Sequence, residues 1–157
     1  MGATYDRPMV VAAPPPSPPP GLIVFDQVSL DGQRTFIFRE RGDGSGRVLV
    51  LRGGSDPVWS PDGRFIAAFQ GRGITVATRD GRVVRRVRTV GSTAYLTWSP
   101  DGRRFAYVAE HCQDPAGHGD PSCGTLWVVH VDGTGLTQVT TTGGSQSPDW
   151  GTQPLAH

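Results

Sequence analysis

One five-residue motif occurs twice in the sequence, and its spacing constrains the fold more than any other feature. Trp-Ser-Pro-Asp-Gly lies at residues 59–63 and again at residues 98–102, 39 residues further along the chain. A shorter copy, Ser-Pro-Asp-Trp, lies at residues 147–150. Repeats with such periods are typical of propeller blades and solenoids. The chain is therefore predicted to consist of similar units placed side by side.

Each copy of the motif is interpreted as a hairpin turn. Proline presets φ at the second turn position, aspartate accepts hydrogen bonds from backbone N–H groups, and glycine adopts the positive φ that closes the hairpin. These roles explain Asp62 and Asp101 without a metal ion or a pair of catalytic carboxylates. The tryptophans are expected to pack between neighbouring units rather than to stack on a ligand. The structural repeat residues are Trp59, Pro61, Asp62, Gly63, Trp98, Pro100, Asp101, Gly102 and Trp150.

The segments between the turns predict an all-β chain. The sequence has 22 glycines and 14 prolines, which interrupt it too often for long helices. Short β-prone runs alternate with turns at the spacing of a meander. In the middle repeat these runs cover residues 58–59, 65–69, 74–78 and 83–88. Each complete repeat is thus expected to form a four-stranded antiparallel sheet.

These features resemble the repeat of TolB-like β-propellers. The resemblance rests on Trp-Ser-Pro-Asp-Gly followed by an apolar strand, and on a later strand that ends in Asp-Gly, as at residues 80–81 and 132–133. It covers about residues 21–154, which is nearly the whole chain after the proline-rich start. It implies four-stranded blades arranged around an axis, in rings that resemble six-bladed propellers.

The number of blades departs from that family. The first repeat has three predicted strands, at residues 22–25, 35–39 and 48–51, and it lacks the strand that carries tryptophan. Residues 147–150 are an inner strand without a blade of their own. We therefore predict about three blades, a partial ring over residues 21–157, in which the C-terminal strand completes the first blade.

A partial ring leaves strand edges and interblade faces uncovered. Propellers typically contain four to eight blades, and exposed strand edges invite pairing with another chain. We expect a homo-oligomer, most simply a dimer whose two sets of three blades make a six-bladed ring. A different chain that supplies the missing blades is the alternative.

Residues 1–20 are predicted to be a disordered linker. They end in a proline-rich stretch at residues 13–20, which should form an extended polyproline II spacer because proline fixes φ and removes backbone donors. A ligand for proline-reading domains is the alternative. This region has neither the basic start nor the apolar core of a secretory signal. No segment of the chain has the length of a transmembrane helix, so direct membrane insertion is not predicted.

Residues 111–123 form an insertion between two predicted strands. Cys112 and Cys123 flank it, and a disulfide between them is expected because facing strands bring such positions together. Free thiols are one alternative, and a zinc site of Cys112, His118 and Cys123, with or without His111, is another. Loops on rigid scaffolds often carry recognition. The candidate interaction loop therefore comprises Gln113, Asp114, His118 and Asp120.

The charge and the motifs argue against several classes of function. Fifteen basic and 14 acidic side chains give a formal net charge of +1, which provides no field that would concentrate nucleic acid. No EF-hand, His-Glu-x-x-His or Gly-x-Ser-x-Gly pattern occurs, so no metal, no cofactor and no enzymatic activity are predicted. The arginine-rich run at residues 82–88 is interpreted as a charged cover for an exposed strand edge, with phosphate binding as the alternative.

The resemblance implies a non-enzymatic module that binds a protein partner or another ligand. The alternative is an accessory, substrate-gating propeller of a prolyl-oligopeptidase-type peptidase or of a polysaccharide-degrading enzyme, with the catalytic part outside this sequence. The resemblance and the cysteine pair together favour an extracytoplasmic location, that is periplasmic, cell-envelope or secreted, because disulfides persist outside the reducing cytosol.

Overall fold

A computed structural model of the protein describes residues 21–110 and 124–151. The predicted linker, the insertion that holds Cys112 and Cys123, and residues 152–157 lie outside the described residues. The described chain contains strands and turns and no helix. Its strands are β1 (Leu22–Val28), β2 (Thr35–Arg41), β3 (Val48–Arg52), β4 (Ser55–Trp59), β5 (Phe65–Phe69), β6 (Gly73–Thr78), β7 (Val83–Arg88), β8 (Ser92–Trp98), β9 (Arg104–Glu110), β10 (Gly124–His130) and β11 (Thr137–Gln138).

The strands form three antiparallel sheets. The first sheet has the order β1-β2-β3, the second β4-β5-β6-β7 and the third β8-β9-β10-β11. Every strand pairs only with its neighbours along the chain, which is the pattern of a meander. This arrangement confirms the predicted β-propeller blades and the partial ring. The three sheets are called blade 1, blade 2 and blade 3.

The burial of each strand follows its position in the blade. β5 lies between β4 and β6, and four of its five residues are buried. β7 is the outermost strand of blade 2, and of its six residues only Val87 is buried. The arginines of β7 therefore lie at a solvent-exposed strand edge, where charge discourages pairing with other chains.

The turns before β5 and β9 share one hydrogen-bonding pattern. In the first turn the Ser60 hydroxyl donates to Asp62 Oδ1 (2.6 Å), and the backbone N–H of Phe65 donates to Ser60 Oγ (2.9 Å). Gly63 has a φ of +69°, which favours glycine. The same contacts recur around Ser99 in blade 3. The serine of the motif, to which the sequence assigns no role, is thus as much a part of the turn as the aspartate.

Tryptophan packs between neighbouring blades. Trp59 ends β4 and contacts a buried cluster drawn from blades 1 and 2, which includes Ile37 and Ile66. Trp98 ends β8 and belongs to the cluster between blades 2 and 3, where its ring centroid lies 4.4 Å from that of Phe105. Each blade is therefore held by the blade beside it rather than by one central core.

Polar contacts also join blades 1 and 2. Arg39 Nε donates to the carbonyl oxygen of Arg79 (2.6 Å), and Arg39 Nη2 lies 3.1 Å from Asp80 Oδ1. Gly81 follows in the same turn, and a Cβ atom there would lie 2.5 Å from the carbonyl oxygen of Val50 in blade 1. Glycine is therefore required by the neighbouring blade as well as by its φ of +88°.

The C-terminal segment does not complete blade 1. Blade 1 contains three strands, and residues 147–150 form no strand. Trp150 lies against blade 3, where the Arg104 guanidinium is 5.5 Å from the centre of its ring. The structure thus corrects the prediction that this segment joins the first blade of its own chain. Three blades do not close a ring, so a segment beyond blade 3 does not reach blade 1.

Replacement of Trp98 by alanine is expected to lower the free energy of unfolding by about 3–5 kcal/mol, because it removes a buried aromatic side chain from the core. Trp98→Phe should cost clearly less, because Trp98 Nε1 has no hydrogen-bond partner within the described residues whose loss would add to the cost. Urea unfolding followed by circular dichroism measures both values. Val84→Ala on the exposed edge is the control, and equal losses for Trp98→Ala and Trp98→Phe would contradict this account.

Candidate interaction surface

A groove opens between blades 2 and 3, at the end of the blades that carries the Ser-Pro-Asp-Gly turns. Its volume is about 530 Å³. Residues 60–62 of blade 2 and residues 100–102 of blade 3 form two of its walls, and residues beside the β6–β7 turn form a third. The groove is therefore a product of two blades, and neither blade contains it alone.

The buried and exposed residues of the groove differ in polarity. Apart from the buried Ser60 and the half-buried Gly102, the buried and half-buried lining is apolar and comprises Phe65, Val76, Trp98 and Val131. The exposed rim carries both signs of charge, from Asp62, Arg82, Arg85 and Asp101. A concave apolar surface with a few polar groups around it is typical of ligand sites.

A second groove continues from the first across blade 3. Its volume is about 590 Å³. Arg85 and Asp101 line both grooves, and Arg103, His130 and Asp132 line the second. Positive and negative groups are interspersed over the combined surface. It has no single-sign field for a polyanion and suits a ligand that carries both charges.

The aspartates of the turns are ionised at neutral pH. The Ser60 hydroxyl, and after it the backbone N–H of Arg64, hold the pKa of Asp62 below its ordinary value of 3.8. The Ser99 hydroxyl and the N–H of Arg103 act in the same way on the pKa of Asp101. A general acid must hold a proton near the working pH. These carboxylates are therefore suited to closing turns and not to donating protons.

Two further findings concern ions and membranes. Among residues 21–110 and 124–151, no group of three or more His, Cys, Asp or Glu side chains could hold a metal ion. The alternative zinc site of Cys112, His118 and Cys123 lies outside these ranges. In the part of the chain that the structure describes, no helix could cross a membrane.

The opposite end of the blades carries the base of the insertion. Glu110 and Gly124 are register partners across β9 and β10, so the insertion leaves and re-enters the sheet at adjacent positions. The predicted interaction residues Gln113, Asp114, His118 and Asp120 lie outside the described residues. Because β9 runs from the groove to Glu110 over seven residues, the base of the insertion and the groove lie at different ends of blade 3.

A polar network beside this second end has no clear signal in the sequence. Arg86 Nη1 donates to Gln70 Oε1 (3.1 Å) and to Thr75 Oγ1 (3.0 Å). Gln70 Nε2 donates to the carbonyl oxygen of Arg52 in blade 1 (2.9 Å). The network thus ties the outermost strand of blade 2 to blade 1. Thr75, a buried polar residue in an apolar strand, is the one hint that the sequence offers.

Comparison with known proteins identifies the class of fold. No family model and no curated protein matches the chain. A structure assigned as TolB from Agrobacterium tumefaciens is 20% identical with a TM-score of 0.65, over 82% of this chain and 50% of that one. TolB from Acinetobacter baumannii is 17% identical with a TM-score of 0.58, over 80% and 32%. The β-propeller domain of the Trilobed protease from Pyrococcus furiosus is 17% identical with a TM-score of 0.52, over 76% and 39%.

The similarity to these structures defines the protein as a partial β-propeller. More narrowly, it has the TolB-like form of that fold, as the Trp-Ser-Pro-Asp-Gly repeat predicts. The chain spans half or less of the length of each of these three structures. The likeness therefore concerns the blades, and the activity of a whole relative does not follow from it.

The stability of the protein is expected to fall as the pH drops below about 4. Hydrogen bonds within turns lower the pKa of Asp31, Asp43, Asp62, Asp101 and Asp132 in the folded chain. An aspartate whose pKa is lower in the folded chain than in the unfolded chain stabilises the fold when it is ionised. Its full contribution to the free energy of unfolding is present above pH 3.8, the ordinary pKa, and is lost as the pH falls through the folded-state pKa. Thermal melts between pH 7 and pH 2 measure this loss.

The control for this prediction is Asp62→Asn, which keeps one acceptor oxygen in the turn but does not titrate. Its melting temperature should depend less steeply on pH in the acid range than that of the wild type. A wild-type melting temperature that stays constant down to pH 2 would contradict the assigned role of the aspartates.

Proposed function

We propose that this chain is a non-enzymatic interaction module that binds a protein partner in the groove between blades 2 and 3. The observation that carries the proposal is the mainly apolar lining of this groove under a rim of both charges. Protein interfaces have a similar anatomy, with an apolar centre and a polar rim. A peptide segment with an apolar side chain for the centre and charged neighbours for the rim would fit this surface.

The rigidity of the groove walls supports the proposal. The Ser60 hydroxyl and the carboxylate of Asp62 close one wall through hydrogen bonds within the turn, and Ser99 and Asp101 close the other. A surface that is formed before binding loses little conformational freedom when a ligand arrives. Such walls favour specific recognition over adaptable contact.

Arg85 is the side chain on which we expect most of the binding energy to depend. It is exposed on β7 and lines both grooves. A ligand that occupies either groove, or extends from one groove into the other, would therefore contact Arg85. Arginine is enriched in interfaces and among the residues that dominate binding energy. Its place on a strand, rather than on a loop, holds its position relative to the two turns.

The second candidate function is an accessory propeller of a peptidase or of a polysaccharide-degrading enzyme. The similarity to the propeller domain of the Trilobed protease supports the first of these at the level of the fold. Such a domain would control access to a catalytic part and would carry out no chemistry itself. Binding to a hydrolase domain, with no binding to free peptides, would favour this candidate over the first.

We also propose that the protein works outside the cytosol, in the periplasm, in the cell envelope or as a secreted protein. The TolB-like fold supports this location by analogy, and the cysteine pair of the insertion supports it independently. The uncovered interblade faces further support association with a second copy or with another chain that supplies blades.

Peptides selected from a displayed random library on the wild-type chain are expected to require the groove. Arg85→Glu should weaken their binding at least about tenfold, because it reverses a charge at the junction of the two grooves. Arg88→Glu, on the same strand but outside both grooves, is the matched control. Isothermal titration calorimetry measures the affinities.

A second variant separates the groove from the insertion. Replacement of residues 113–122 by Asp-Gly should leave peptide binding intact if the groove is the site. Loss of binding in this variant, together with wild-type binding by Arg85→Glu, would refute the groove and assign recognition to the predicted interaction loop.

Cys112 and Cys123 are expected to form an intrachain disulfide that stabilises the protein by about 3 kcal/mol. The register partners Glu110 and Gly124 stand at the base of the insertion, two residues before one cysteine and one residue after the other. Intact mass and thiol labelling after oxidative refolding test the pairing. Two freely labelled thiols in non-reducing buffer would contradict it and would remove one support for the extracytoplasmic location.

A further inference from the structure

The C-terminal segment shares one unusual backbone feature with the inner strands of blades 2 and 3. Asp56, Tyr95 and Ser147 each lie three residues before a tryptophan, and their φ angles are +50°, +59° and +45°. They are the non-glycine residues with positive φ in the described chain. Non-glycine residues with positive φ are uncommon. Their occurrence at the same repeat position in all three segments therefore indicates a shared local conformation. Residues 147–150 repeat the bend of β4 and β8 although they belong to no blade.

Trp150 shares the burial of its indole nitrogen with the two blade tryptophans. Trp59, Trp98 and Trp150 each bury the indole Nε1 atom without a hydrogen-bond partner within the described residues. Ser147 and Pro148 lie beside Leu96 of the neighbouring inner strand, on one surface with Val58 of β4. Residues 147–150 therefore occupy the place that the inner strand of a fourth blade would take.

Blade 1 lacks the strand that this segment resembles. β1 pairs with β2 on one edge, and no described strand pairs with its other edge. The hairpin of β1 and β2 is compared with the hairpin of β5 and β6 in blade 2. The register pair next to the turn is Val28↔Thr35 in the first hairpin and Phe69↔Ile74 in the second. In this comparison β1 corresponds to β5, the second strand of a blade. Counted from these pairs, Phe25 corresponds to Ile66.

The outer face of blade 1 is apolar and partly exposed. Phe25 and Phe38 are in contact there, with ring centroids 6.0 Å apart, and Phe36 lies beside Phe38. Ile23 on the same face is 51% exposed. In blade 2 the corresponding face is covered by blade 1. Blade 1 therefore has both a vacant strand position and an interblade face that no other blade covers and over which only the side chain of Arg47 lies.

We propose that residues 147–150 of one copy pair with β1 of a second copy and so complete its blade 1. The known registers Trp59↔Ile66 and Trp98↔Phe105 place Trp150 opposite the partner's Phe25. This pair would reproduce the contact of Trp98 with Phe105, whose centroids are 4.4 Å apart. A two-fold axis makes the exchange reciprocal, and both junctions close at once to give six four-stranded blades.

The occupant of the β1 edge is a second copy because the chain itself carries the matching motif. A Pro-x-Trp segment fills this position in blade 2, at residues 57–59, and recurs at residues 148–150. Residues 14–20 of the same chain contain six prolines, which have no N–H to donate to a strand ladder. The proline-rich stretch is therefore a poor substitute.

The proposed register also includes one unfavourable pair. Thr97 lies opposite Ala106 in blade 3, and Val58 lies opposite Ala67 in blade 2. By the same count Asp149 lies opposite the partner's Asp26. Like charges on facing positions destabilise a strand pair. Removing either charge should therefore strengthen the association, and this effect is specific to the register.

The test measures the mass of the 157-residue chain by sedimentation and by light scattering over micromolar concentrations. We expect a dimer of twice 16.8 kDa. Phe25→Asp and Trp150→Ala should each weaken dimerisation at least about tenfold, and Asp26→Asn should strengthen it about two- to fivefold. Val84→Ala, at an exposed apolar residue on β7 of the central blade 2, is the matched control.

A mixing experiment guards against variants that merely fold poorly. Equal amounts of Phe25→Asp and Trp150→Ala chains should form heterodimers more readily than either variant forms homodimers, because the heterodimer retains one intact junction. Circular dichroism of each variant verifies its fold. A wild-type monomer at these concentrations, a dimer indifferent to both substitutions, or a dimer weakened by Asp26→Asn would each overturn the proposal. Dimerisation only after deletion of residues 1–20 would show that this segment holds the β1 edge and would overturn it likewise.

Discussion

The contact between a tryptophan at the end of an inner strand and the face of the preceding blade is the interaction on which this structure depends. Trp59 and Trp98 make it at the two interfaces between blades, where most of the buried side chains lie. The blades have no common centre, so each interface stabilises only the two sheets that it joins. Unfolding free energy in such an array is approximately a sum of blade and interface contributions. The end blades, which each have one neighbour, are the least stabilised.

The parts of the structure that the sequence predicts are those determined within a few residues. Proline, aspartate and glycine specify the turns before β5 and β9, and their spacing specifies blades. Contacts between neighbouring blades cannot be predicted from such local patterns. The ion pair of Arg39 with Asp80 joins residues 41 positions apart, and the groove needs turns from two blades. Neither residue type nor local sequence pattern distinguishes Arg39, or the groove residues Arg82 and Arg85, from the other arginines of the chain. The placement of residues 147–150 depends on how far three blades turn around the axis, which no local motif encodes.

At the candidate interaction surface, the turns provide fixed walls and the exposed strand β7 provides charged side chains that can change conformation. Ser60 and Ser99 use their hydroxyls inside the turns, and this leaves the rim arginines as the adaptable groups of the groove. Substitutions at the rim would therefore alter recognition with little effect on folding, whereas substitutions in the turns would alter both. The chain could in this way acquire new ligands while its blades remain the same.

Arg47 has a consequence for the behaviour of the chain in solution. Its guanidinium lies 5.1 Å from the ring centre of Phe25 and 5.3 Å from that of Phe38, and it pairs with Glu40 at 2.8 Å. A hydrated cation thus lies over an aromatic surface that would otherwise favour indiscriminate aggregation. Because the stem and the ion pair are on the outside of the blade, this cover can move aside without unfolding. Arg47 thus contributes to the colloidal solubility of the unpaired chain, and hence to the time available to find a specific partner.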